Sequence, residues 1–151
     1  MKDWRKARHD FERVIAIAKQ VENPQSERDA LDGLGHIEEA EGNIALQRRH
    51  LEHALELTRQ IGDEYSLLER LSAIAHLAIE SKDFRVAKLY LEESLRQAQF
   101  IGAKRRCATI CESLGHVVSH LAGGLDACAY YDEASTLYLS LIHISEPTRQ
   151  A

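Results

Sequence analysis

The sequence predicts an all-α protein made of repeated pairs of antiparallel helices, about seven helices in all. Three observations predict it. Leu34-Gly35-His36-Ile37 returns forty residues later as Ile74-Ala75-His76-Leu77, and forty later again as Leu114-Gly115-His116-Val117. Within each copy the apolar residues recur at three- and four-residue steps, and no segment alternates with a period of two. Alanine, leucine, glutamate, arginine and glutamine are plentiful, and all favour helix.

The repeat extends beyond one motif. Ala7…Phe11-Glu12, Gln47…Leu51-Glu52, Ala87…Leu91-Glu92 and Ala127…Tyr131-Asp132 keep the same step. So do the segments that follow, Val21-Glu22, Ile61-Gly62 and Ile101-Gly102. A fixed step of this size marks units that cannot bury their apolar faces alone and must stack.

In order along the chain, the first helix is predicted over residues 3–21 and ends before Pro24. Ser26 followed by Glu27 is a plausible N-cap for a second helix, 27–41, whose stripe is Leu31, Leu34 and Ile37. Gly42 marks the turn into 44–61, with Ile44, Leu51, Ala54 and Leu55 on one face. Gly62 stands where a left-handed C-cap wants glycine. Leu71, Ile74 and Leu77 carry the helix 65–81, and Lys82-Asp83 mark the next turn. Phe84, Ala87, Leu91 and Leu95 carry 84–101, and Gly102 closes it. Helices at 104–121 and 126–138 complete the set.

The segment after 138 stands apart. Its run Leu139-Ser140-Leu141-Ile142-His143-Ile144-Ser145-Glu146-Pro147-Thr148-Arg149 resembles an in-frame translation of the transposase mosaic end and adjoining adapter of sequencing libraries. Residues 139–151 are therefore expected to be a non-native tail, and 1–138 a fragment of a longer repeat protein. Setting the tail aside removes Glu146 and Arg149, one of each sign, so the net charge stays at −5.

That charge gives no footprint for nucleic acid. The basic clusters Arg5-Lys6, Arg48-Arg49 and Lys104-Arg105-Arg106 are read as solvated helix faces. No apolar run approaches the ~20 residues of a membrane span. Cys107, Cys111 and Cys128, an odd number crowded at one end, suit a reducing compartment, and the expected location is the cytoplasm.

The spacing resembles the tetratricopeptide repeat, which pairs a bulky-x-x-Leu-Gly helix with an Ala-x-x-x-aromatic-x-x-Ala helix. Leu31-x-x-Leu34-Gly35 leads to Gln47-x-x-x-Leu51-x-x-Ala54, and Leu71-x-x-Ile74-Ala75 to Ala87-x-x-x-Leu91-x-x-Ser94. Cys111-x-x-Leu114-Gly115 leads to Ala127-x-x-x-Tyr131-x-x-Ala134, and Ala7-x-x-x-Phe11-x-x-Val14 is a lone second helix. The small residues let two helix backbones approach while large ones fill the space beside them. The resemblance covers residues 3–138 and implies a right-handed α-solenoid. The period of forty departs from the family's 34, and Lys19, Arg59 and Gln99 stand where the family has proline. This long form resembles the repeats of bacterial LuxR- or MalT-like transcription regulators and signalling ATPases. A lone second helix at 3–21 lacks the first helix that would cover it, so upstream repeats or a partner are expected there.

In that family the position of His36, His76 and His116 lies on the concave groove. The resemblance thereby implies a partner-binding face of Asp32, His36, Glu39, Ser72, His76, Ile79, Glu112, His116 and Ser119, acidic and lined with imidazoles. It suits a protein or peptide partner of basic or hydrogen-bonding character. The bland alternative makes the histidines fillers between helices.

A metal site fails on geometry. At 100° per residue Cys107 and Cys111 point opposite to His116 and His120, so the four cannot converge on a tetrahedral ion. His50-x-x-His53 and His116-x3-His120 are at most weak surface chelators. No catalytic or phosphate-binding motif occurs, so neither enzyme activity nor a cofactor is expected. The expected function is an interaction scaffold within a regulatory or signalling protein. Its rivals are a small-ligand-sensing repeat domain and a structural or self-association spacer.

Overall fold

The computed structural model describes residues 4–122 and 124–145, and of 124, 125 and 143–145 the backbone only. Among the described residues there are seven α-helices and no strand. They are α1 (Trp4–Gln20), α2 (Pro24–Glu41), α3 (Ile44–Ile61), α4 (Glu64–Glu80), α5 (Phe84–Phe100), α6 (Lys104–Leu121) and α7 (Gly124–Ser145). The protein is all-α.

Two compact units divide the chain between Leu77 and Ala78. In the first, α1 packs on α2 and α2 on α3; in the second, α5 packs on α6 and α6 on α7. Loops this short make sequential helices antiparallel neighbours.

The turns show why forty is the period. Backbones in the left-handed region stand at Glu22 (φ 50°), Gly42 (75°), Gly62 (76°), Lys82 (58°) and Gly102 (70°). The step is twenty residues, so each forty-residue repeat is two equal strokes of helix and turn. The next residue stands immediately before the following helix. Asn23 accepts a hydrogen bond from the Ser26 amide (3.1 Å), Asp63 from the Ser66 amide (3.1 Å) and Asp83 from the Val86 amide (3.4 Å). Asn43 makes no such cap; its side-chain amide donates to Glu38 at 2.9 Å.

Two boundaries differ from the sequence expectation. α2 begins at Pro24, because Asn23, not Ser26, is the cap. Proline at the first helical position gives up an amide that had no partner there. α7 continues through Leu139–Ile142 to Ser145. That stretch holds no glycine or proline before Pro147, so nothing interrupts the backbone ladder at 138.

The repeated stripes form the cores of the units. Leu31, Leu34 and Ile37, then Leu71, Ile74 and Leu77, then Cys111, Leu114 and Val117 are all buried. The small-residue column is less uniform. A methyl group added at Gly35 would meet only Leu51, at 4.0 Å, whereas one at Gly115 would lie 2.7–2.9 Å from ring atoms of Tyr131. Gly33 is the unexpected member: a side chain there would run into the Phe11 ring. Glycine is required where the facing residue is aromatic, and is optional where it is leucine.

Ala75, fully buried, should tolerate leucine poorly, losing ~1–3 kcal/mol by overpacking, while Arg49→Leu on an exposed position should change little. Equal shifts in the two denaturation midpoints would contradict the placement of α4. Lys82→Gly should stabilise by about 0.5–1 kcal/mol, by relieving a left-handed backbone that side chains resist. An unchanged or lower melting temperature would show that this turn carries no strain.

Candidate partner-binding face

Residues at the histidine position of the repeat sit beside buried neighbours on both sides. His36, His76 and His116 are exposed, whereas Gly35 and Ile37, Ala75 and Leu77, and Gly115 and Val117 are buried. A helix turns 100° per residue, so a residue one step past the packed column is carried off the contact and into solvent.

In the first unit, Asp32, His36 and Glu39 share one side of α2. His36 Nδ1 lies 3.5 Å from Glu39 Oε2, an i,i+3 pair in which both side chains are largely exposed. Asp32 is not free. Arg70 of α4 grips it with both guanidinium nitrogens, Nη2 to Oδ2 at 2.6 Å. Such a planar, bidentate clasp holds direction as well as distance. Asp29 likewise accepts from Arg28, at 3.0 and 3.1 Å, and Glu41 from Arg8 at 2.6 Å. The expected acidic character is therefore tempered by cations of the same unit. Ser72 and Ile79, on α4, are half-buried and His76 exposed.

In the second unit, Glu112, His116 and Ser119 are exposed on α6. Ser119 Oγ donates back to the His116 carbonyl at 2.7 Å, and Glu112 accepts from the Tyr138 hydroxyl of α7 at 3.3 Å. Around His116 lies a ring cluster that sequence reasoning missed. Phe84 stacks on His120 with centroids 4.3 Å apart and planes 4° from parallel, and meets His116 edge-on at 6.4 Å. The two imidazoles stand 4.8 Å apart at 77°. The sequence placed Phe84 on the core stripe of α5. It is half-buried instead, because the first residue of a helix can lean past its own axis toward the neighbour. Arg70 was missed too, since Ala30 and Ile110 occupy its repeat position and periodicity is blind to a singular residue.

Cys107 and Cys111 are buried while His116 and His120 are exposed, so the two pairs sit on opposite sides of α6. Burial pushes the Cys111 thiol up to about 11, which keeps it protonated and unreactive at neutral pH. Cys128 is exposed. Among the described residues no group of three or more His, Cys, Asp or Glu side chains is placed to hold a metal ion. His53 instead pairs with Glu27 of α2, Nε2 to Oε1 at 3.2 Å. No described helix is long and apolar enough to cross a membrane.

Beneath the first unit's face lies a charged cluster. Glu38 is fully buried, bonded to Arg8 of α1 and to Asn43. Burial alone would raise its carboxyl, but the bonds from Asn43 and Arg8 outweigh burial and hold it below its ordinary range. Half-buried His50 is lowered, by burial first. A buried charge left without partners costs several kcal/mol, so Glu38 ties α1 to the end of α2.

The fold class these units define is an all-helical one built from antiparallel neighbours. A solved structure with the same fold is BtubC (BKLC) from P. vanneervenii, with a TM-score of 0.66 and 18% identity over 94% of this chain. The present chain spans 59% of the length of that protein. No protein-family model matches the chain, and no curated protein does.

Both shifts imply loss of stability in acid. A carboxyl lowered on folding stabilises above its unfolded pKa of about 4.3 and ceases to as pH falls through the folded value. An imidazole lowered on folding stabilises above about 6.5 and loses that as pH falls. The melting temperature should fall on acidification from pH 7 to 4. Glu38→Gln should melt lower at pH 7 and show a flatter acid limb. Parallel limbs for the two proteins would remove Glu38 from the account.

Proposed function

We propose that this chain is an interaction module, a tetratricopeptide-like stack of helical hairpins that holds a protein or peptide partner. One observation carries the reading. The same repeat position presents an exposed imidazole three times, at His36, His76 and His116, each flanked by residues committed to the core. Core packing accounts for the flanking residues and leaves the histidines unexplained. Their neighbours Glu39, Glu112 and Ser119 are exposed as well, giving carboxylate and imidazole groups that suit a basic or hydrogen-bonding segment. Membership in a LuxR- or MalT-like regulator or a signalling ATPase belongs to this proposal and rests on the forty-residue step, and a cytoplasmic location rests on the odd, clustered cysteines Cys107, Cys111 and Cys128.

The test is a display of immobilised fifteen-residue peptides, basic and neutral, probed with the whole chain at pH 7.5 and 5.5. Peptides retained by the parent chain should bind roughly tenfold or more weakly, about 1.4 kcal/mol, to a His36→Ala, His76→Ala, His116→Ala variant. A variant that retains the same peptides equally well at both pH values would end the role of this face.

A further inference from the structure

The outer side of α1 poses a separate question from the histidine face. Val14, Ile17 and Val21, at i, i+3 and i+7, form one stripe, exposed by 41%, 54% and 63%. One repeat later the same positions are Ala54, Leu57 and Ile61 of α3. There Ala54 is fully buried, Leu57 is 7% exposed and Ile61 is half-buried. The difference comes from a covering helix. Leu31 of α2 packs on Ala54 and Leu57 in one apolar cluster. The stripe on α1 has the residues for such a partner and lacks the cover.

The repeat also says what the cover must carry. Arg13 is exposed on α1 and corresponds to His53 of α3, whose imidazole faces the carboxylate of Glu27 on the covering helix at 3.2 Å. Phe11 is turned the other way, its ring lying against Gly33 of α2. We propose that the exposed stripe of α1 seats one further amphipathic helix, antiparallel to it. That helix carries a carboxylate opposite Arg13 and a leucine over Val14 and Ile17. Its pattern is an acid and a leucine four residues on, as in Glu27 and Leu31.

A second copy of this chain supplies no such helix. α2 has the whole pattern but is already engaged with α1 and α3. α4 has Leu67 and α6 has Cys107 where the carboxylate is required. The seat therefore favours a helix of this composition from outside the residues described, and its apolar area is contiguous rather than scattered.

Inserting a second copy of residues 24–43 ahead of Trp4 restores the forty-residue step and supplies the helix at high effective concentration. Hydrogen exchange of the α1 amides should slow about tenfold or more. The gain should vanish when Leu31→Glu is made in the inserted copy alone. A separate peptide of residues 24–41, added to the unaltered chain, should protect the same amides and fail to do so on Ile17→Glu. Unchanged α1 exchange in both arms overturns the proposal. So does a dimer of the unaltered chain, seen in sedimentation and dissolved by Ile17→Glu, because a second copy would then fill the seat.

Discussion

Everything in this molecule depends on a helix of seventeen or eighteen residues having its apolar stripe covered at one register. Such a helix is marginal in water by itself and gains its stability from packing. The register comes from the turns. A left-handed residue at 22, 42, 62, 82 and 102 gives successive helices the same length and the same point of reversal. Leu34, Ile74 and Leu114 consequently reach equivalent buried sites, none more than 4% exposed. The left-handed backbone is free for Gly42, Gly62 and Gly102 and costly for Glu22 and Lys82, yet all five adopt it. Twenty-residue spacing outweighs the local preference of two side chains.

Upon that regular frame the first unit adds singular charges. Glu38 stands where the later copies have Ala78 and Val118, and its burial is tolerable only because Arg8 and Asn43 converge on it. Arg70 clasps Asp32 across from α4 to α2. These contacts contribute direction more than net energy, since desolvation offsets much of the Coulombic gain. They also redefine the surface. Four acidic groups around the histidine face, at 29, 32, 39 and 41, each have a cationic or imidazole neighbour within the unit. That face presents hydrogen-bonding groups more than a field of negative charge.

The stripe on α1 follows from the same physics. A repeat presents equivalent positions in every copy, so burial in one copy becomes a ruler for the others. Ala54 and Leu57 are covered by Leu31, and Val14 and Ile17 one unit earlier are not. Internal comparison separates an apolar residue that is incidentally exposed, such as Tyr65 or Phe100, from one whose counterparts are always packed.

By itself the sequence determined the all-α class, seven helices (with the end of the last, expected at 138, found at Ser145), the forty-residue register and the buried columns. Periodic burial is written into the order of side chains, and a recurring signal survives local exceptions. Tertiary structure decided what has no period. Whether Pro24 ended one helix or opened the next turned on the side chain of Asn23. Whether Gly35 and Gly115 were required turned on which ring or leucine lay opposite. Phe84 left the core stripe for His120, and Asp32 left the open face for Arg70. Each of these is a contact between residues 16 to 38 positions apart, or a competition between neighbouring caps, and neither leaves a repeating trace for spacing to detect.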